Sequence, residues 1–426
     1  MSPLWRGTNR YVPNACDNVA TFLPARVVGQ DMAIRHLVNA VCEHVREGPE
    51  GAAGWGASSR HQQGQQQGDA AVAAAALGGG GGGQPLTLMR RKPLVISVHG
   101  PPGTGKTYTH TLLARALYNR DPATAMSCPG QGCVGAKVLY GLSYVSEEQA
   151  GQLAQVREAI LDHLRSTPHP MLVIEEYDKL DCASRGMLRQ LIRHPELIST
   201  DMSRAIILLE SNLGFLELES LLTAVKGNKS QIPPETAERV LRHAALSSWR
   251  SSDCERIDDS VAFAATIDHY LPFFPLTRED ITVLVEQEMA TNYAARLAAR
   301  GGSLAWEAEV VRWLVGKVDF DSGSYPLEGA TQVAAVCVRF LAHLFRAVEM
   351  ELHSTAAAAA AAAAAGPHGG LNAADGQHKA PLPLEAVEFR LVVAPGGKEL
   401  RLLRRSQAPA RAAPASSSSE PPSGSM

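Results

Sequence analysis

The residues best suited to do chemistry sit in one short run, Gly100-Pro101-Pro102-Gly103-Thr104-Gly105-Lys106-Thr107. The spacing Gly100-x4-Gly105-Lys106-Thr107 is that of a phosphate-binding loop. Its glycines let backbone N–H groups turn inward around a polyphosphate, and a helix opening at Lys106 adds its positive N-terminal end. Lys106 can then reach β and γ phosphates, and the Thr107 hydroxyl can ligate Mg²⁺. The motif needs a strand before it and a helix after it. The apolar run Leu94–His99 reads as the strand and Tyr108–Tyr118 as an amphipathic helix. The stretch is therefore expected to bind a nucleoside triphosphate together with Mg²⁺.

Two further apolar runs end in polar groups. Met171–Ile174 leads into Glu175 and Glu176, where a Walker-B acid positions Mg²⁺ and a neighbouring glutamate activates water. By position Glu175 is the metal-side residue and Glu176 the base. The metal-side residue is usually Asp, so Glu175 is a longer substitute. Asp178 and Lys179 read as a pair near the surface. Ala205–Ser211 ends at Asn212, whose amide can hold an attacking water against the γ-phosphate; an Asn capping the turn before Gly214 is the plainer alternative.

Around these runs strands and helices alternate. Met32–Val45 has helical spacing, Lys137–Leu142 reads as a strand, and Glu147–Leu164 and Ser184–Ile192 read as helices. Uninterrupted apolar strands suit a sheet covered on both faces. The fold class is thus α/β, a parallel sheet flanked by helices with ligands at the strand C-termini. Asp268–Leu276 marks a change of register, after which Arg278–Arg296, Trp306–Val318 and Gln332–Val348 read as three helices. The expected organisation is an N-terminal segment 1–25, a large nucleotide-binding part 26–270 and a small helical lid 271–355. A low-complexity linker 356–383, a β-hairpin 384–406 around Gly396-Gly397 and a tail 407–426 follow. Residues 48–84, rich in Gly, Ala and Gln, read as a disordered insertion because they bury too little apolar surface to offset backbone entropy.

Composition excludes little. Forty basic against 43 acidic residues give a net charge of −3, which provides no global field for nucleic acid or an anionic membrane. No basic stripe with interleaved aromatics is evident, which argues against a nucleic-acid motor. No run of about 18 apolar residues exists, so no transmembrane helix is expected. Met1–Ala25 has no apolar h-region, so either the protein is cytosolic or nuclear or the true start of the chain is missing. The seven cysteines form no CxxC pair, and their odd, scattered set favours reduced thiols. Cys128 and Cys133 are close enough for a local disulfide, which sequence does not decide.

The order of these motifs resembles an AAA+ ATPase of the Clp/HSP100 branch, and within it the torsins. The residues that carry the resemblance are Gly29-Gln30 with Leu37–Ala40, Lys92-Pro-Leu before the first strand and the phosphate loop itself. Glu176-Tyr-Asp178-Lys179, Glu210-Ser-Asn-Leu-Gly214 and Ile267-Asp-His-Tyr-Leu-Pro-Phe-Phe-Pro-Leu276 complete it. The resemblance covers 26–50 and 85–350. It implies an oligomer or ring acting on a protein substrate, and a place in the endoplasmic reticulum lumen or nuclear envelope. Three departures matter. Clp proteins have an arginine finger directly before the Ile-Asp pair, where this chain has Thr266, as torsins also lack one. Torsins carry Gly-Cys-Lys and Clp proteins Gly-Ala-Arg at sensor 2, where this chain has Gly329-Ala330-Thr331. Torsin loops tend to end Lys-Asn, whereas this one keeps Lys106-Thr107.

Two function classes follow. One is a remodelling ATPase whose hydrolysis depends on an activator supplying an arginine. The other is an ATP-gated scaffold that scarcely hydrolyses. Arg278 and Arg339 are the nearest substitutes for a finger, but both fall on predicted amphipathic helices and read as solvent-facing. Asn228-Lys-Ser230 is a glycosylation sequon that matters only in the secretory pathway. Tyr144, after the second strand, does not by itself establish substrate threading.

Overall fold

In the computed structural model, residues 9–46, 92–124, 128, 133–141, 149–194, 202–251, 257–321, 325–364 and 387–405 are described. The insertion 48–84, Tyr144, the linker residues 366–383 and the tail 407–426 lie outside them. The chain divides into two units, 1–280 with 322–330, and 281–321 with 331–426.

The larger unit is built on β1 (Leu94–His99), β2 (Ala136–Tyr140), β3 (Met171–Glu175), β4 (Ile206–Ser211) and β5 (His269–Pro272). They form one all-parallel sheet in the order β2-β3-β4-β1-β5. This is the expected α/β class. Alternate residues of each strand go to opposite faces, as the two-residue period of a strand requires. Ile96, Val98, Val173, Leu208 and Leu271 pack against α1 (Ala15–Phe22), α2 (Asp31–Arg46) and α3 (Lys106–Tyr118). Val95, Leu172, Ile174, Ile207 and Leu209 pack against the other layer. That layer comprises α4 (Gln149–Ser166), α5 (Cys182–Arg193), α6 (Phe215–Ala224), α7 (Pro234–Ser251) and α8 (Ile257–Ala264). Each large apolar side chain buried this way contributes about 1.5–3 kcal/mol. Local signals set the helix starts: the Asp181 carboxylate caps α5 by accepting from the Ser184 N–H at 2.9 Å.

The register fixes what the site receives. Leu94, Met171 and Ile206 are level across three strands, as are Val98 and Glu210, and His99 and Ser211. Glu175, one residue beyond the Ile174–Leu209 pair, is therefore level with Glu210. Strand β5 was not expected within Asp268–Leu276. It is only four residues long and follows no alternation, and its place beside β1 comes from pairing. Helices α1, α6, α7 and α8 were likewise not assigned from sequence.

The smaller unit departs from the all-helical expectation. From Ile281 it continues α9 (Arg278–Glu288), then a π-helical turn Met289–Ala294 and α10 (Ala295–Ala298). Strand β6 (Gly302–Trp306), α11 (Ala308–Val315), α12 (Thr331–Ala364), β7 (Val387–Val393) and β8 (Leu400–Arg405) follow. The expected hairpin is present as antiparallel β7–β8, turning through Gly396 (φ +95°) and Gly397 (φ +70°). It does not stand apart: β6 pairs in parallel with β7, making a three-stranded sheet. Helix α12 also runs through Ala356–Ala364, which the sequence reading assigned to a linker, because alanine has the highest helix propensity.

The cysteines overturn the reduced-thiol expectation. Cys16–Cys42 and Cys128–Cys133 are disulfides, Cys182 is disulfide-bonded as well, and Cys337 is a buried free thiol. Spacing alone could not reveal the first of these, since α1 and α2 meet only through tertiary packing. The Cys16–Cys42 bridge closes a loop of intermediate length, for which chain entropy gives a stabilisation of about 3–4 kcal/mol. Reductant opens all of these bridges together, so it should lower the unfolding free energy by at least roughly that amount in denaturant titrations. An identical unfolding curve with and without reductant would show that the thiols are unpaired in solution.

Candidate active site

At the carboxyl edge of the larger unit's sheet, the loop after β1 opens α3 at Lys106, with Gly105 in the left-handed region (φ +97°) as the preceding residue. Two loop glycines are required by close approach. A Cβ on Gly100 would stand 2.1 Å from the Phe273 carbonyl oxygen, and one on Gly103 would stand 2.2 Å from that of Glu328. Thr104 is buried and its hydroxyl donates to the Pro101 carbonyl at 2.9 Å. Gln30, also buried, ties the loop to the chain after β5. Its amide nitrogen donates to the carbonyls of Phe274 (2.9 Å) and Thr104 (3.3 Å), and its oxygen accepts from the Phe274 N–H at 3.0 Å. Together with Gly29, Lys229, Ile232 and Phe274 it lines a cavity of about 670 Å³.

The Lys106 ammonium donates to the carbonyls of Gly100 (2.7 Å) and Pro101 (2.9 Å) and to Asn212 Oδ1 (2.9 Å). Burial lowers its pKa to about 8, opposed by the carboxylates of Glu210, Asp178, Glu176 and Glu175. The sequence-selected residues Gly100 through Thr107, Glu175, Glu176 and Asn212 thus gather where β1, β3 and β4 end. Asn212 Oδ1 faces the Lys106 ammonium.

Glu175 and Glu176 differ in environment. Burial raises the pKa of Glu175, with Glu210 adding to the rise, while His110 and a hydrogen bond from Thr107 oppose it. Its Oε1 is buried without a hydrogen-bond partner among the described residues. An orphaned carboxylate oxygen next to the Thr107 hydroxyl fits a Mg²⁺ ion, and the loop with Lys106 fits a polyphosphate. Glu176 is left-handed at φ +52°, a conformation that costs a non-glycine residue about 1–3 kcal/mol. Its carbonyl accepts from the Lys179 N–H at 2.8 Å and passes so close to Gly141 that a Cβ there would lie 2.2 Å away. Asp178 and Lys179 form the expected ion pair at 3.7 Å, with Lys179 half exposed.

Two buried residues here were given no chemical role from sequence. His110 Nδ1 lies 2.8 Å from Glu210 Oε1, and His110 Nε2 lies 3.6 Å from Glu175 Oε1. Ligand atoms of the three residues all fall within 4.8 Å of one another. A glutamate at the end of the otherwise apolar run Ile206–Leu209 was the available signal, because a carboxylate is almost never buried without a partner.

At the two positions where Clp proteins carry a basic residue this chain has Thr266 and Thr331. The Thr266 hydroxyl donates to the Phe263 carbonyl at 2.7 Å. Glu328 and Gly329 touch the loop by backbone, and the Ala330 N–H donates to the Gly103 carbonyl at 2.8 Å. Arg278 and Arg339 are both exposed, as expected.

A family model described as "AAA domain" matches residues 89–210. The chain is 23% identical over 293 residues to "Torsin-like protein" of Drosophila melanogaster, covering 66% of this chain and 69% of that protein. It is 25% identical over 195 residues to "Torsin-like protein" of Caenorhabditis elegans, covering 45% of this chain and 52% of that one. With "Chaperone protein ClpB" of Chlamydia trachomatis serovar D it shares 28% identity over 250 residues, 56% of this chain but only 26% of the relative. The chain therefore spans about a quarter of that ClpB and about half of the nematode protein. Over residues 89–210 the sheet and the phosphate loop match an AAA domain. The relatives it resembles are torsin-like proteins and ClpB chaperones.

A phosphate-binding role for Lys106 predicts that Lys106→Ala abolishes ATP affinity in calorimetry, since it removes a charge-assisted donor set. Tight ATP binding by the variant would show that another group carries the phosphates.

Proposed function

We propose that this torsin-like AAA+ protein binds ATP with Mg²⁺ and remodels protein partners as an oligomer, hydrolysing slowly unless a partner supplies an arginine. The observation that carries this reading is the convergence on Lys106 of Asn212, Glu175 and Glu176 at three adjacent strand ends. Bound Mg²⁺·ATP would supply the scissile phosphoanhydride and a Lewis acid. Gly100–Thr107 would cradle the phosphates, with Lys106 as the cation and Thr107 and Glu175 on the metal side. Glu176 would accept a proton from the attacking water, which Asn212 would orient. For that last role the Asn212 amide has to leave the Lys106 ammonium partly free, and a phosphate is the natural competitor for it.

The strained backbone at Glu176 supports its assignment as base, because such strain persists mainly where the surroundings enforce it. Disulfides form in oxidising compartments, so Cys16–Cys42 and Cys128–Cys133 support a place in the secretory pathway. Asn228 of the sequon is exposed there for modification. The scaffold reading is supported by Glu175 in place of the usual metal-side Asp and by the absence of a basic side chain at Gly329-Ala330-Thr331.

Glu176→Gln should leave ATP binding intact and trap the bound state, since the amide fills the same space but takes no proton. If Glu175→Gln gives the trap instead, base and metal side are reversed.

The second test is kinetic. A finger supplied from outside is worth roughly 10³–10⁵ in rate, so the isolated protein should turn over on the order of once per minute or less. An added partner presenting an arginine to the nucleotide should raise that rate strongly. Fast basal turnover that drops on Arg339→Ala would overturn the activator dependence.

A further inference from the structure

His110 has no part in the chemistry above, yet it is one of the most enclosed titratable groups at this edge. Its side chain is 3% exposed and that of Glu210 4%. Both nitrogens face carboxylate oxygens: Nδ1 meets Glu210 Oε1 at 2.8 Å and Nε2 meets Glu175 Oε1 at 3.6 Å. A neutral imidazole has one N–H and one lone pair, and an ionised carboxylate only accepts. The short contact assigns the N–H to Nδ1, donating to Glu210. The Nε2 lone pair then faces an oxygen that has no hydrogen-bond partner among the described residues. Two buried acceptors aimed at each other repel, and the gap between them calls for a positive centre.

The gap has the dimensions of a shared metal. Donors each about 2.1 Å from a tetrahedral Zn²⁺ stand roughly 3.4 Å apart, close to the 3.6 Å observed between Nε2 and Oε1. The Nδ1–H to Glu210 contact is the carboxylate partner that metal-ligating histidines characteristically have, and it fixes the tautomer that leaves Nε2 free. Imidazole is a ligand for Zn²⁺ and its neighbours, while Mg²⁺ takes oxygen donors. The Thr107 side chain acts on the same carboxylate.

We propose that His110 Nε2 and Glu175 Oε1 form a binding site for a divalent transition metal such as Zn²⁺, with Glu210 as the positioning residue for the imidazole. The site shares Glu175 with the proposed Mg²⁺ position and rests on that reading only to that extent. Its consequence is that the metal side of this nucleotide pocket carries a nitrogen donor, and so discriminates among cations differently from an all-oxygen site.

The test is metal binding without nucleotide. Zn²⁺ is titrated into the full chain by calorimetry, and Co²⁺ is used as the spectroscopic stand-in. Wild type should bind one Co²⁺ with the visible spectrum of a nitrogen-ligated, low-symmetry ion. His110→Asn, whose side-chain amide can still donate to Glu210 but offers no imidazole nitrogen, should lose that spectrum. Glu210→Gln should keep it with affinity reduced about 10–100-fold, the usual effect of removing a ligand's carboxylate partner. Lys106→Ala should keep the Co²⁺ spectrum, with affinity no weaker than wild type because a neighbouring positive charge is gone, whether or not it binds ATP, which separates failure of this site from failure of the nucleotide reading. If wild type binds no Zn²⁺ or Co²⁺, or if His110→Asn leaves the Co²⁺ spectrum unchanged, the proposal falls.

Discussion

Burying the Lys106 ammonium is the constraint around which the carboxyl edge of the sheet is arranged. A lysine taken out of water loses its charge unless oxygens surround it. Here two loop carbonyls and the Asn212 amide accept from it directly, and four carboxylates within electrostatic reach hold its charge. Those groups come from β1, β3 and β4 and the turns after them. They can converge only because the three strands are parallel and in a register that ends them level. Phe273 and Gln30 then fix the loop from behind, one through backbone contact at Gly100 and the other through three side-chain hydrogen bonds. Packing, register and charge balance are one problem at this edge.

The same arrangement explains why two neighbouring glutamates can differ so much. Glu175 belongs to the strand and takes its direction from the ladder, which turns it toward α3 and Thr107. Glu176 is the first residue past the ladder and is bent into a left-handed turn. One is held by regular structure and the other by strain, so adjacent carboxylates reach different partners.

Much of this was legible in the sequence because it is local. The strand–loop–helix frame of Leu94–Tyr118, the apolar runs ending at Glu175 and Asn212, and the Gly396-Gly397 hairpin are each specified by a few neighbouring residues. What escaped is non-local. Strand β5 has four residues and no alternation, and it exists because β1 offers an edge. Cys16 and Cys42 pair because α1 and α2 pack, which no spacing announces. His110 lies on the buried face of α3, where its type suggested nothing until β4 brought Glu210 beside it. The alanine run misled in the opposite direction: low complexity was taken as absence of structure, while alanine's own propensity extends α12 to Ala364.

The pairing of β6 with β7 also bears on how the chain is made. As β6 leaves the ribosome its partner does not yet exist, because the chain must run from Trp306 to Val387 first. At about 5–20 residues per second that is a wait on the order of ten seconds. During it the backbone donors and acceptors of Gly302–Trp306 have no β7 to meet, and an unpaired strand edge is a template for pairing with another chain. The smaller unit therefore closes only when the hairpin arrives. A nascent chain cut short before Val387 carries its larger unit's full sequence together with a β6 segment that has no strand to pair with.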